Sequence, residues 1–310
     1  MTRVACIGEC MIELKQAGGG LYSRGFGGDT LNTAVYLARL GVAVDYITAL
    51  GDDPFSDEMI AGWQAEGVGT AKVARLNGKL PGLYLISTDE AGERRFFHWR
   101  ESAAARSLLD LPETESLLRS LASYDLVYLS AISLSIYAQK GRARLLAALR
   151  DARRSCTNIA FDTNFRARGW PDLEIARGVF REAFEASDIV LASTEDLLPL
   201  YPSATAEELL ARIPSGEVVL KHSEPASTVR AAGIARRIEA EPTAAGVVDT
   251  TAAGDSFAAA YLAARLGGAG PEQAARAGHR LAGLVVCHPG AIIPHSAMPV
   301  RSASPSKVSS

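Results

Sequence analysis

The hydrophobic positions of this chain form short apolar runs that alternate with longer amphipathic segments. The runs predict strands, which we place at residues 4–7, 46–50, 126–129, 159–161, 189–191 and 218–220. Segments of helical period lie between them, at residues 31–40, 56–66 and 142–153. This alternation predicts a three-layer α/β/α arrangement, in which a mostly parallel sheet carries helices on both faces. Functional sites in such folds gather at the carboxyl ends of the strands, so we expect the chemistry just after these runs.

One stretch interrupts the alternation. Residues 83–87 and 94–99 flank a polar turn and predict a β-hairpin without a helix. Together with residues 13–22 it predicts a small antiparallel sheet beside the main domain. The hairpin leaves one face uncovered unless a ligand or a partner subunit lies against it. We therefore expect a homo-oligomer that forms through this sheet.

Composition excludes several classes of protein. The chain has 310 residues, of which 48% are hydrophobic and 22% charged, and its net charge is −3. The charges are dispersed without a basic stripe, so we expect no nucleic-acid partner. No apolar run approaches the ~20 residues that span a bilayer, and the N-terminus lacks a signal-peptide pattern, so we expect no membrane partner. The four cysteines show neither a CxxC pair nor zinc-ligand spacing and fit a reducing cytoplasm.

The most informative segment is residues 249–262. Small residues precede an alanine-rich helix there, so the backbone amides of residues 252–255 can converge at its N-terminus as an anion cradle. Asp255, in the first turn, adds a proton acceptor beside a bound phosphate. Phosphoryl transfer to a hydroxyl requires these two devices together. On the residues alone, helix capping explains Asp255 equally well.

Two motifs in this chain resemble the signatures of one family. The sequence Asp-Thr-Thr-Ala-Ala-Gly-Asp-Ser-Phe at 249–257 resembles the second signature of the ribokinase-like carbohydrate kinases, and Gly-Gly-Asp-Thr-Leu-Asn-Thr-Ala at 27–34 resembles the first. The resemblance implies one ribokinase-like kinase domain over residues 1–300, with a β lid formed by about 13–25 and 82–100. The Ser-rich residues 301–310 are predicted to be a disordered tail.

The same resemblance assigns the catalytic centre. It implies that Asp255 is the catalytic base, that Ala252, Ala253 and Gly254 form the anion hole with it, and that ATP and Mg²⁺ are used. The family usually has glycine at the position of Ala252. A methyl group fits there if φ is negative, so we expect Ala252 to keep a negative φ. Two rival motifs are absent from the sequence, the P-loop G-x-x-x-x-G-K-[ST] and a dinucleotide-binding G-x-G-x-x-G directly after a strand.

Residues around the first motif indicate a sugar site. Glycine at Gly28 lets the backbone approach a polyol, Asp29 can accept hydrogen bonds from hydroxyls, and Asn32 can add a polar contact. The alternatives are that Asp29 caps the following helix and that Asn32 faces solvent. Two arginines, Arg100 and Arg166, indicate an anionic substrate, because arginine matches a carboxylate bidentately. Each arginine taken alone is more often a solvated surface residue.

Three segments resemble one group of enzymes within this family. Residues 28–33, 96–105 and 290–294 together resemble the 2-keto-3-deoxygluconate kinases of this family, which phosphorylate a six-carbon keto acid on its terminal hydroxyl. The resemblance implies that the sugar acid is bound by Gly28, Asn32, Tyr84, His98, Arg100, Arg166 and Asp255. His98 departs from the tyrosine that is common at its position. Two alternatives stay open: a kinase for a neutral ketose such as fructose, and a non-catalytic sugar-binding protein on the same fold.

The nucleotide side has weaker signals. Ser193 and Asp196 stand at the place of the family's Asn-x-x-Glu, where Asp196 would act on Mg²⁺ through water. Helix capping by Ser193 explains the same residues equally well. Lys221 follows a predicted strand and can reach a phosphate. We also assign Asn164 and His288 to nucleotide binding.

Overall fold

The computed structural model describes residues 2–88, 94–243 and 246–299. The predicted turn at 89–93 and the predicted tail at 301–310 lie outside the described residues. The strands are β1 (Arg3–Ile7), β2 (Met11–Gly18), β3 (Leu21–Gly27), β4 (Ala43–Gly51), β5 (Val68–Gly69), β6 (Val73–Leu76), β7 (Leu83–Thr88), β8 (Arg94–Trp99), β9 (Leu126–Ser130), β10 (Asn158–Asp162), β11 (Ile189–Ser193), β12 (Glu217–Lys221), β13 (Ala226–Ala231) and β14 (Ile234–Glu239).

The α-helices alternate with these strands along most of the chain. They are α1 (Asp29–Arg39), α2 (Pro54–Ala65), α3 (Thr114–Ser120), α4 (Ala131–Ile136), α5 (Gln139–Arg154), α6 (Leu173–Ala186), α7 (Thr194–Leu197), α8 (Ala206–Ala211), α9 (Ala253–Leu266) and α10 (Pro271–Val285). Within the described ranges, no helix is long and apolar enough to cross a bilayer.

The large sheet has the order β14-β13-β12-β11-β10-β9-β1-β4-β5, with β6 also paired to β4. All six predicted strands lie in it and pair in parallel, which confirms the alternating α/β prediction. The sequence pattern missed β5 and β6, which are short, and the antiparallel edge strands β13 and β14. The carboxyl ends of β1, β9, β10, β11 and β12 therefore meet along one edge, where the chemistry was expected.

Two hydrophobic clusters cover the two faces of the large sheet. On one face, Phe161 of β10 packs edge-to-face against Phe180 and Phe184 of α6, with ring centroids 5.7 and 6.0 Å apart. On the other face, Tyr46 of β4 and Tyr261 of α9 are completely buried among α1, α9 and α10. The predicted three-layer arrangement is confirmed.

The small sheet has the order β3-β2-β7-β8. Its two hairpins are antiparallel, as predicted, but they join through a parallel pairing of β2 with β7. The parallel pairing arises because β2 follows β1 and β7 follows β6, and both strands leave the same edge of the large sheet. The prediction of one uncovered face needs correction, since every side chain from Arg95 to Trp99 on the edge strand β8 is exposed.

Candidate active site

The segment 249–255 lies where the second motif placed it, at the N-terminus of α9. Backbone N–H groups before Ser256 have no partner within the helix, because the first i→i−4 bond runs from Ser256 N to Ala252 O at 2.9 Å. The amide of Ala253 donates to Thr250 O at 3.2 Å. This end of the helix presents the remaining first-turn amides and the positive end of the helix dipole, the features that the anion-hole prediction required.

Ala252 corrects one expectation. Its backbone has φ 61° and ψ 14°, in the left-handed region, so the expected negative φ is wrong. The loop turns sharply at this residue into α9, and the family's usual glycine adopts such a turn without strain. Ala252 holds the same turn at a cost of about 1–2 kcal/mol.

Asp249 holds this strained loop in place. Its Oδ1 accepts hydrogen bonds from the amide of Thr251 at 2.9 Å and from the Thr251 hydroxyl at 2.6 Å. Its Oδ2 accepts from the amide of Gly290 at 3.0 Å. Asp249 belongs to the second motif, but the motif alone predicted no role for it.

Asp255 points away from the helix cap. The cap position of α9 is Ala252, which has no side-chain capping bond, and the Asp255 carboxylate instead accepts from Nδ2 of Asn32 at 2.8 Å. Burial, reinforced by the negative charge of Asp29, raises the pKa of Asp255 to about 8, against the smaller opposing effects of the Asn32 hydrogen bond and Lys221. The capping alternative is therefore wrong. A carboxyl with such a pKa is suited to general-base catalysis near neutral pH.

The first motif supplies the partners of Asp255. Asn32 is only 6% exposed, so the alternative that it faces solvent is wrong. Gly28, not Asp29, occupies the cap position of α1, so Asp29 does not cap that helix. The Asp29 carboxylate accepts from Nδ2 of Asn164 at 2.8 Å. Asn164, predicted on the nucleotide side, thus lies beside a residue predicted to bind the sugar.

Gly28 is required by packing as well. Its backbone is extended, with φ −178°, and a Cβ atom there would collide with the carbonyl oxygen of Glu9 and crowd Cα of Cys10. The close approach that the glycine allows in this structure is therefore to the chain segment after β1.

Lys221, predicted to reach a phosphate, lies beside the first turn of α9. Its Nζ is 3.6 Å from the Asp162 carboxylate and would lie 3.5 Å from a Cβ atom built on Gly254. Asp162 is buried, and that burial raises the pKa of its carboxyl although Lys221 opposes the shift. Sequence reasoning singled out the segment after β10 for its arginine and overlooked this acid.

In the small sheet, Tyr84 contacts Glu13 and His98. Its hydroxyl donates to the Glu13 carboxylate, and its ring stacks on His98 with centroids 5.9 Å apart. A Cβ atom on Gly27 would collide with the Tyr84 hydroxyl, so the glycine before α1 makes room for the lid tyrosine. Partial desolvation beneath the Tyr84 ring and the positive charge of Arg100 lower the pKa of His98. Sequence reasoning missed Glu13.

The two predicted clamp arginines pair with different carboxylates. Arg100 donates from Nη2 to Glu9, which is 3% exposed and directly follows β1 and Gly8. Arg166 has a side chain 63% exposed, and its Nη1 donates to Phe165 O at 2.7 Å and to Asp196 at 3.4 Å. Glu9 was missed, although its place after a predicted strand was a usable signal.

Ser193 and Asp196 have structural partners. Ser193 Oγ accepts from the amide of Asp196 at 3.1 Å and caps α7, as the capping alternative predicted. The Asp196 carboxylate accepts from Thr163 Oγ1 at 2.8 Å and from Phe165 N at 3.0 Å. Both carboxylate oxygens are thus occupied, which fits contact with Mg²⁺ through water better than direct ligation. Within 2–88, 94–243 and 246–299, no three acidic, histidine or cysteine side chains cluster as a metal site.

His288 follows α10, and its Nδ1 lies 3.0 Å from Leu284 O. The preceding turn is tied to the second motif, because Val286 O accepts from the amides of Val248 and Asp249. This pairing brings the region of His288 beside the start of the α9 loop.

The chain is similar to known proteins along nearly its whole length. Residues 1–298 match the pfkB family of carbohydrate kinases. The 2-dehydro-3-deoxygluconokinase of Dickeya dadantii is 46% identical over 309 residues, covering 96% of this chain and 98% of that protein. The enzyme of the same name from Escherichia coli is 42% identical over 310 residues, covering 96% and 99%. A fructokinase of Klebsiella pneumoniae is 30% identical over 266 residues, covering 84% and 83%.

A solved structure shares the fold. The putative ribokinase II of E. coli, in complex with ATP and Mg²⁺, superposes with a TM-score of 0.80 at 24% identity and covers 94% of this chain and 94% of its own.

Proposed function

Since this chain belongs to the pfkB family of carbohydrate kinases, we propose that it transfers a phosphoryl group from ATP to the 6-hydroxyl of 2-keto-3-deoxygluconate, the substrate also called 2-dehydro-3-deoxygluconate. The observation that carries the reaction type is the Asp255 carboxyl, with its pKa raised to about 8, beside the N-terminus of α9. The identity of the sugar acid is supported by relatives at 42–46% identity along nearly the whole chain.

In this proposal Asp255 accepts the proton of the 6-hydroxyl as the oxygen attacks the γ-phosphorus. The bond from that phosphorus to the bridging oxygen breaks, and ADP leaves. The first-turn amides of α9 and the Lys221 ammonium stabilise the charge on the transferred group. Asn32 orients the base through its 2.8 Å hydrogen bond. Asp196 would contact nucleotide-bound Mg²⁺ through water, and the ion would neutralise phosphate charge.

The carboxylate of the sugar acid is bound by Arg100 and Arg166 in this proposal. Tyr84 and His98 from the lid, and Gly28 and Asp29 from the start of α1, surround the rest of the sugar. A neutral ketose lacks the carboxylate and gains nothing from either arginine. The fructokinase alternative has weaker support, since the fructokinase of K. pneumoniae is 30% identical. A non-catalytic sugar-binding protein would not need a base with the pKa of Asp255.

The test is a matrix of variants and substrates. Arg100→Ala and Arg166→Ala should each weaken apparent affinity for the keto acid by one to two orders of magnitude, since a hydrogen bond to a charged group is worth ~1.5–3 kcal/mol. Lysine at either position should recover only part of the loss. Arg119→Ala, which removes an exposed arginine of α3, is the matched control. Equal losses on the keto acid and on fructose would contradict the carboxylate clamp.

We also propose that the protein forms a homo-oligomer through the lid. The large apolar side chains of Phe97 and Trp99 are 48% and 58% exposed on β8. Both belong to an edge strand, and edge strands with exposed apolar residues favour pairing with another chain.

A further inference from the structure

A buried ion pair joins the two sheets at the end where the substrate is expected. Glu9 follows β1 of the large sheet, Arg100 follows β8 of the lid, and their side chains are only 1% and 19% exposed. A buried charge without its partner is strongly destabilising, so each residue restricts where the other can lie. The guanidinium of Arg100 is therefore oriented chiefly by Glu9.

This pair is not satisfied internally. Among the described residues, Glu9 Oε1 and Arg100 Nε are both buried and have no hydrogen-bond partner. A buried polar atom without a partner destabilises the folded state, and a ligand that supplies the partner binds more tightly for that reason. The two atoms are an acceptor and a donor on the same ion pair. A carboxylate oxygen satisfies the donor, and a hydroxyl group satisfies the acceptor.

Glu9 has little freedom to move. A Cβ atom on Gly28 would collide with its carbonyl oxygen, and one on Gly82 would lie 3.0 Å from its Oε1. Both glycines thus let the surrounding backbone pack closely around Glu9. Gly28 is itself one of the residues assigned to the sugar, so this packing places the backbone of Glu9 next to the proposed substrate site.

We propose that Glu9 is a positioning residue that orients the Arg100 guanidinium toward the carboxylate of the substrate and so contributes to the selectivity for a sugar acid. This inference rests on the proposed function. Glu9 acts through Arg100, so its loss should affect binding of the acid and not the phosphoryl transfer itself. If the ion pair only stabilised the fold, its loss would change the kinetic constants for both the keto acid and ATP, or would change stability alone.

The test is a double-mutant cycle of wild type, Glu9→Gln, Arg100→Lys and the double variant, with kcat and KM measured for the keto acid and for ATP. Glu9→Gln should raise KM for the keto acid about tenfold and leave kcat and KM for ATP within about twofold. In the Arg100→Lys background, Glu9→Gln should raise KM for the keto acid by less than about twofold. Glu101→Gln, an exposed carboxylate whose side chain accepts from the Arg100 amide, is the matched control and should change none of the three constants.

The inference is overturned if Glu9→Gln raises KM for the keto acid by the same factor in both backgrounds. It is also overturned if KM for ATP rises equally, or if KM for the keto acid does not change. Circular dichroism melts check that the variants fold. If Glu9→Gln does not fold, Glu9→Asp keeps the charge with a shorter reach and should still raise KM for the keto acid while leaving kcat unchanged. A wild-type protein that phosphorylates fructose but not the keto acid would overturn the proposed function and this inference together. A wild-type protein active on the keto acid with an additive cycle would overturn this inference alone.

Discussion

Replacing Asp255 by Asn is the sharpest test of the catalytic centre. The amide oxygen can still accept the hydrogen bond that Asn32 donates at 2.8 Å, so the shape of the site is kept while the proton acceptor is lost. General-base catalysis contributes ~10²–10⁴-fold, and we therefore expect turnover to fall at least ~10²-fold. ATP binding, measured by calorimetry, should survive the change.

The pH profile follows from the raised pKa of Asp255. Only the ionised carboxylate accepts a proton, and with a pKa of about 8 roughly one molecule in ten is ionised at pH 7. Log kcat/KM of the wild type should therefore rise with a slope near one below pH 8 and level off above it. The Asp255→Asn variant should show no such rise. A wild-type profile that is flat from pH 6 to 9, or a variant within tenfold of wild type, would refute the reasoning.

The same shift predicts an effect on stability. The fold favours the protonated carboxyl, so its contribution to stability is complete below the ordinary pKa of 3.8 and is lost as the pH rises through about 8. At about 1.4 kcal/mol per pKa unit, and reduced because the Asp255 side chain is only partly buried, we expect a loss of ~1–3 kcal/mol. Asp255→Asn cannot ionise, so urea titrations should show its advantage over wild type growing from pH 5 to pH 9. An advantage that does not grow with pH would mean that the carboxyl is not shifted upward.

Three further predictions concern the fold and the assembly. Ala252→Gly should raise the free energy of unfolding by ~0.5–1 kcal/mol, because glycine adopts the left-handed conformation at 252 without strain; lower stability in urea titration would contradict this. Phe180→Ala should lower the free energy of unfolding by ~3–5 kcal/mol, because the ring packs edge-to-face against four other aromatic side chains. Removing the exposed ring of Phe55 should lower it far less in the same titration. Light scattering should find at least a dimer, and Phe97→Glu combined with Trp99→Glu should yield monomers; a monomeric wild type would count against the lid interface.

Much of the fold could be predicted because it depends on local sequence pattern. Runs of apolar residues such as 126–129 and 189–191 are too short for buried helices and so predict buried strands. Gly41 and Gly67 mark helix ends and have positive φ. The edge strand β14 escaped notice because most of its residues are exposed, so it carries no continuous apolar run. The parallel pairing of β2 with β7 has no local signal at all, since it follows from where both strands leave the large sheet.

The candidate site likewise has features that the sequence could predict and features that it could not. By itself, the sequence determined which residues could carry the chemistry: the motif that ends in Asp255, the helix behind it, and the arginines that suit an acid. Only the tertiary structure decided the left-handed turn at Ala252, the hydrogen bond between Asn32 and Asp255 across 223 positions of sequence, and the pairing of Arg100 with Glu9. Local patterns encode periodicity and backbone preference, whereas the charge state and orientation of a side chain depend on neighbours that are close in space but far apart along the chain.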